Sequence, residues 1–204
     1  MTVNTFISPD LIIGDDGLAR PPWAAHSEQL RRYYDTEWGL PIDDEQGLFE
    51  RLSLEGFQAG LSWSLVLRKR PQLREAFADF DPDKVALFGE DEITNMLTNP
   101  DLIRNKLKLR AVINNARATQ ELREHGGLAD FLWSFKPTET PKPRTMAEVP
   151  STSPESAAMA AALKKAGFKF VGPTTCFALM EAVGMVDTHL LGSHRRGSSG
   201  IWSD

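Results

Sequence analysis

The sequence predicts an all-α protein. Apolar residues recur at helical spacing along most of its 204 residues, helix caps and breakers fall between those stretches, and no segment alternates apolar and polar residues as a strand does. Residues 1–20 are mixed in character, with Gly14-Asp15-Asp16-Gly17 reading as a turn, and form an N-terminal extension with little core of its own. Ser27 caps a helix that runs to Trp38, and Gly39 to Pro41 breaks it. Asp43 or Asp44 caps a long helix. One of its stripes is Leu48, Leu52, Glu55, Ala59, Ser62 or Trp63, and Val66; a second is Leu54, Phe57, Leu61 and Leu65. With both faces apolar, Glu55 is expected to point into protein. Gly56 and Gly60 fall inside this helix, each costing about 1 kcal/mol against alanine. The expectation is a bend there, or a close approach to the backbone.

Asp81 and Pro82 start a short helix to about Phe88, and Glu90 to Thr98 forms another. Asn99-Pro100-Asp101 makes a tight turn into a helix from about Leu102 to His125. Its apolar face is Leu102, Leu109, Val112, Ile113 and Ala116, and Gly126-Gly127 ends it. Phe131, Leu132, Trp133 and Phe135 form a short hydrophobic segment, and Lys136 to Pro150, with four prolines, reads as a surface loop. Ser153, with Pro154 behind it, starts a helix that Gly167 closes. Phe168 to Pro173 is extended, Thr174 to Gly184 is a last helix, and the final twenty residues are loose. The expected organisation is an extension (1–20), one domain (21–192) and a flexible tail (193–204).

Hydrophobic content of 41% and charged content of 25% suit a globular chain. No apolar run approaches the roughly 20 residues of a membrane span, and no secretory signal is visible. Cys176, the single cysteine, excludes an internal disulfide. The expected compartment is the cytoplasm. A net charge of -5 argues against coating nucleic acid by bulk electrostatics. Local basic clusters remain: Arg68, Lys69 and Arg70; Arg104, Lys106, Lys108 and Arg110; Lys164, Lys165 and Lys169; Arg195 and Arg196. Each by itself also suits a solvated helix face. A carboxylate inside an apolar stripe is costly without a partner or a task, so Glu55, with Trp63 beyond it, marks the candidate chemistry.

Six collinear stretches resemble the DNA-3-methyladenine glycosylase I family. They are Tyr33-Tyr34-Asp35-Thr36-Glu37-Trp38-Gly39, residues 54–63 (LEGFQAGLSW), Phe80-Asp81-Pro82-Asp83-Lys84-Val85, Ile103-Arg104-Asn105-Lys106-Leu107-Lys108, Phe131-Leu132-Trp133-Ser134-Phe135, and residues 167–172 (GFKFVG) with Thr174-Thr175-Cys176. Together they span roughly residues 20 to 192. The resemblance implies a helix-hairpin-helix DNA glycosylase fold, with the turn around Asn99 to Asp101 and its following basic helix as the hairpin region.

It also implies a set of roles. Glu55 stands where the family has its pocket carboxylate, an acceptor for the exocyclic amine of the base. Trp63 matches a stacking tryptophan, Tyr33 a pocket tyrosine, and Trp38 a further aromatic near the pocket. From position rather than from the resemblance, Leu61, between the pocket helix and the loop after it, is a candidate wedge into the duplex, and Arg104, Lys106 and Lys108, which follow the hairpin turn, are the first candidates to hold phosphates. Taken without the resemblance, Glu55 could equally be a satisfied core carboxylate, and Trp63 core packing. Trp23, Trp133 and Trp202 are structural or unassigned.

Two departures stand out. Family members carry a structural zinc on two cysteines and two histidines. The matching positions here are Pro21, Tyr34, His189 and Ser193, of which only His189 is a good ligand. No metal and no other cofactor are therefore expected. His194 is nearby, but two histidines without thiolates make a weak site. Tyr34 between the chain termini is one candidate replacement. At Leu30 several relatives have an aromatic, which loosens one pocket wall.

The expected function is a monofunctional DNA glycosylase that excises 3-methyladenine by base flipping and hydrolysis of the N-glycosidic bond, in base excision repair. No lysine stands at the Schiff-base position, and Arg110 to Ala118 contains no aspartate. The expected partners are double-stranded DNA containing alkylated adenine and free 3-methyladenine as product, with no membrane and a monomeric state. Alternatives are a glycosylase for another alkylated base, such as 3-methylguanine, or a catalytically silent DNA-damage-binding protein.

Overall fold

The structure is a computed structural model that describes residues 6–202. Those residues fall into two compact units. One draws on residues up to Pro41, Pro137–Ser151 and Met180 onward; the other on Ile42–Lys136 and Thr152–Leu179.

The first unit begins with a two-residue ladder, β1 (Ile12–Ile13) antiparallel to β2 (Ala19–Arg20). The turn read from Gly14 to Gly17 joins them, closed by Gly14 N–H donating to Leu18 O and Gly17 N–H to Gly14 O. Residues 12–20 thus supply a strand pair too short for an alternating pattern to reveal. α1 (Pro22–Ala25) and α2 (Glu28–Thr36) follow. Ser27 caps α2 by accepting from Leu30 N–H at 3.1 Å. Gly39 then adopts φ 78°, and a Cβ there would lie 2.5 Å from Cε1 of His189, so glycine is required twice over. The proline-rich loop holds only a one-turn 3-10 helix, Met146–Glu148. The described residues after 192, expected to be loose, are anchored through Arg196, whose Nη1 donates to Asp187 O, Pro141 O and His189 O at 2.7, 2.9 and 3.2 Å.

The second unit is a helical assembly on two long helices. α3 (Glu45–Gln58) starts at Asp44, whose carboxylate accepts from Gly47 N–H at 2.7 Å. Every residue from Leu48 to Phe57 is buried, as two apolar stripes on one helix require. The helix does not continue through Gly60. It ends at Gln58, Gly60 turns with φ 76°, and α4 (Trp63–Ala76) starts afresh under a Ser62 cap. Of the two glycines, Gly56 meets the close approach: a Cβ there would touch Phe170 Cβ at 3.7 Å, an ordinary packing distance.

α5 (Pro82–Val85) starts where expected but ends three residues short of Phe88, and α6 (Glu90–Thr98) lies where the sequence placed it. α7 (Lys106–Leu122) begins four residues later than expected, because Asn105 accepts from Leu107 and Lys108 N–H and acts as its cap. Gly126 at φ 98° ends the following 3-10 turn, and Gly127 already belongs to α8 (Gly127–Trp133). α9 (Pro154–Lys165) carries the Ser153 cap. α10 (Pro173–Ala182) begins in this unit; the first unit resumes at Met180. Phe168 to Pro173 is irregular rather than extended throughout, with Phe170 in the left-handed region at φ 56°.

α3 carries charge into this interior. The carboxylate of Glu50 accepts from Arg70 Nε at 2.8 Å and from Arg74 Nε and Nη2 at 2.6 and 2.8 Å. Burial by itself would raise this carboxyl, but the two guanidiniums outweigh it and hold it below the usual range. A depressed carboxylate contributes stability above its unfolded value that is lost as pH falls through its folded one. Glu50→Gln is therefore expected to lower unfolding free energy at pH 7 by about 1–3 kcal/mol. The difference from wild type should shrink between about pH 5 and pH 3. Urea titrations at several pH values check this; a pH-independent difference contradicts it.

Candidate functional site

Glu55 lies one turn before the end of α3 and is only 5% exposed. Arg51, one turn earlier on the same helix, is buried as well. Trp63 is the first residue of α4, so the two residues of greatest interest sit on either side of one tight turn rather than on a single helix. Leu61 occupies that turn and is half-buried, with Ala59, Gly60 and Ser62 exposed around it. Leu61 N–H donates to Gln58 O at 2.7 Å, and Ser62 Oγ accepts from Leu65 N–H at 3.3 Å.

The basic residues around the start of α7 divide into two kinds. Arg104 lies before the helix and is exposed. Lys106 is exposed and pairs with Glu90 at 3.3 Å, which Arg110 also grips through Nε and Nη2 at 2.8 Å each. Lys108 corrects the sequence reading. It is 7% exposed, and its ammonium donates to Phe57 O at 2.7 Å and Ala59 O at 2.5 Å. It points into protein because helical periodicity turns position 108 inward from the cap at Asn105, so it is not presented to a phosphate. Burial draws its pKa below the usual lysine value. Between these cations Leu107 is 66% exposed, a large apolar side chain that the sequence reading left without a role.

Two asparagines were also missed. Asn115 Oδ1 accepts from Lys169 N–H at 2.8 Å and its Nδ2 donates to Lys169 O at 3.0 Å, while Asn114 Nδ2 donates to Gly167 O at 2.8 Å. They hold the segment with the left-handed Phe170 against α7 and over Gly56. The available signal was an Asn-Asn pair interrupting the apolar run Val112-Ile113 to Ala116.

In the first unit, Tyr33 and Tyr34 are both buried on α2. Tyr34 stacks on Trp38 with centroids 5.6 Å apart, and Trp23 meets both edge-on at 5.2 and 5.4 Å. His189 packs edge-on against Trp38 at 4.6 Å and Tyr34 at 5.3 Å. Trp23, unassigned in the sequence, is thus part of one aromatic cluster with Trp38.

Of the four positions where the resemblance puts zinc ligands, Tyr34, His189 and Ser193 meet here, and the set does not fit zinc. Pro21 offers no donor. The Tyr34 hydroxyl and Ser193 Oγ are 2.5 Å apart and hydrogen-bonded to each other. Burial pushes the Tyr34 phenol well above its ordinary value, which keeps it a neutral hydroxyl. His189 Nδ1 lies 2.7 Å from Asp187 Oδ1, which leaves Nε2 as the acceptor nitrogen, buried and with no hydrogen-bond partner. Burial lowers the pKa of this histidine against the opposing pull of Asp187. One nitrogen cannot make a tetrahedral site, and no group of three or more His, Cys, Asp or Glu among the described residues could hold a metal ion. The surrounding contacts are ionic: Arg20 is buried and forks onto Asp35 at 2.8 and 2.7 Å and Asp16 at 2.9 and 2.7 Å. His194 bridges Asp35 at 3.1 Å and Ala19 O at 2.9 Å.

No helix among the described residues is long and apolar enough to cross a membrane. A family model of methyladenine glycosylase matches residues 23–196. The chain is 41% identical over 179 residues to DNA-3-methyladenine glycosylase 1 of Escherichia coli, a match covering 86% of this chain and 95% of that one. It is 45% identical over 175 residues to the DNA-3-methyladenine glycosylase of Haemophilus influenzae, covering 84% and 94%. Among solved structures, a crystal structure of 3-methyladenine DNA glycosylase I superposes with a TM-score of 0.83 at 40% identity, over 87% of this chain and 99% of that one. With a helical fold of the same kind and a match along nearly its whole length, the chain belongs to the methyladenine glycosylase family.

Proposed function

We propose that the protein is a monofunctional DNA glycosylase that releases 3-methyladenine from alkylated DNA. The observation that carries this reading is the burial of Glu55 on a helix enclosed along ten consecutive residues, one turn of chain away from Trp63. Membership of an enzyme family that cleaves N-glycosyl bonds supports it.

The chemistry fits a carboxylate better than a strong acid. Methylation at N3 makes adenine cationic while it is still joined to the sugar, so the base departs as a neutral molecule. Water adds its oxygen to C1′ and yields a proton to solvent. The C1′–N9 bond breaks, and its electron pair goes to the base. In a water-poor site Glu55 attracts the cationic base and does not reward neutral adenine. An extruded base must be held by contacts that offset the loss of its place in the duplex. Stacking on Trp63 is worth about 1–3 kcal/mol. The resemblance assigns further base contacts to Tyr33 and Trp38. On the DNA side, Leu61 is the wedge, and Arg104 and Lys106 are the phosphate contacts. The protein works without metal, as a monomer and in the cytoplasm.

The test is a single-turnover assay on methylated duplex DNA. Wild type is expected to release 3-methyladenine and no adenine. Glu55→Gln keeps the shape and removes the charge, and should slow release by about 100-fold or more. A wild type that binds the DNA and releases no base overturns the reading.

The Tyr34–Ser193 contact gives a second prediction. Prolonged treatment with a metal chelator should change neither Tm nor base release. Tyr34→Phe, which strips the hydroxyl from a buried hydrogen bond, should lower stability by about 1–2 kcal/mol. A Tm that falls on chelation contradicts the metal-free assignment.

A further inference from the structure

We infer that Lys108 is a positioning residue for base recognition, acting through the turn between α3 and α4; this rests on the function proposed above. Its ammonium reaches the C-terminal end of the Glu55 helix and donates to Phe57 O and Ala59 O at 2.7 and 2.5 Å. The last carbonyls of a helix have no partner within it, and the helix dipole gathers negative charge at that end. A buried cation there is favourable where an isolated one is costly. Lysine has three donors on a long stem, and two of them join carbonyls that lie two residues apart across the helix end.

The turn lies at the surface, with a Ser62 cap on its far side. Ala59, Gly60 and Ser62 are exposed, and Gly60 at φ 76° has no neighbour within 4 Å of where a Cβ would be. Inside the turn the backbone bond is Leu61 N–H to Gln58 O. The anchor from the interior is Lys108, supplied by α7 from 49 to 51 positions along the chain. The turn sets where Trp63 starts relative to Glu55 and how Leu61 is presented. Lys108 touches neither base nor phosphate in this role. It fixes the spacing of groups that do, and small displacements of such groups can reduce rate by as much as about 100-fold.

Three proteins test the inference: wild type, Lys108→Met, which retains the stem without the charge, and Lys108→Arg, which retains the charge in another shape. Three quantities are read: the single-turnover rate at saturating enzyme, the slope of log affinity for methylated duplex against log salt, and amide hydrogen exchange at Leu61 and neighbouring positions. Lys108→Met should lose about 10- to 100-fold in rate and exchange its Leu61 amide at least about 10-fold faster, while the salt slope stays that of wild type. Lys108→Arg should recover part of the rate. Lys106→Met is the contrast, since removing a true phosphate contact should reduce the slope by about 0.9.

A reduced salt slope in Lys108→Met with its rate retained makes Lys108 a phosphate contact and overturns the inference. So does an unchanged Leu61 exchange rate. If Lys108→Met will not fold, Lys108→Arg decides: wild-type rate and exchange would show that the two-carbonyl geometry is dispensable. A wild type without base release defeats the proposed function; the exchange measurement still decides whether Lys108 holds the turn.

Discussion

A helix buried on all sides cannot hide its polar residues on a solvent face, and α3 is such a helix from Leu48 to Phe57. Its ionisable groups from Glu50 to Glu55, including Arg51, are therefore held inside the protein. Glu50 is compensated by Arg70 and Arg74 from α4. The carbonyls at its end are compensated by Lys108 from α7. Both neighbouring helices are therefore bound to α3 by charge as well as by apolar packing, and this fixes the frame around Glu55. A site that distinguishes a cation from a neutral base of nearly the same shape needs such a frame, because electrostatic discrimination falls steeply as water enters.

The first unit solves a different problem, that of tying together segments distant along the chain through side-chain contacts. Tyr34 bonds Ser193, Arg20 grips Asp16 and Asp35, and Arg196 gathers three carbonyls. Each contact is modest, and a zinc ion with two thiolates would be stronger. Tyr34 contributes packing as well as a hydrogen bond, however. The ring fills the space among Trp23, Trp38, His189 and His194, and its hydroxyl reaches the side chain of Ser193. His189 is oriented by Asp187.

Substrate chemistry explains why so little catalytic apparatus is needed. The bond to a methylated purine is already weak, so recognition and alignment contribute what an acid or an activated nucleophile would contribute elsewhere. The stretch from Arg110 to Ala118, without an aspartate, is occupied instead by Asn114 and Asn115, which hold the segment containing Phe170 over Gly56. Positioning residues of this kind are the main investment of the second unit.

Local chemistry was legible in the residues themselves. Ser27, Asp44, Asp81 and Ser153 act as caps because a short side-chain oxygen satisfies amides two or three residues ahead, wherever the helix later packs. The burial of Glu55 could be read because two apolar stripes on one helix leave no outward face. Other features depend on partners far along the chain. Gly60 reads as part of a helical pattern until the turn is seen, since apolar periodicity continues from α3 into α4. Lys108 reads as one more surface cation, because its acceptors are backbone carbonyls about fifty residues away that no side-chain pattern announces. The anchoring of residues 193–202 and the pairing of β1 with β2 are likewise long-range hydrogen bonds between segments with weak patterns of their own. Sequence alone determined where most of the longer helices begin and that Glu55 is enclosed, because these follow from neighbouring side chains. Tertiary structure decided where α3 stops, what Lys108 holds and what Tyr34 and His189 contact, because each depends on atoms brought together only when the chain closes on itself.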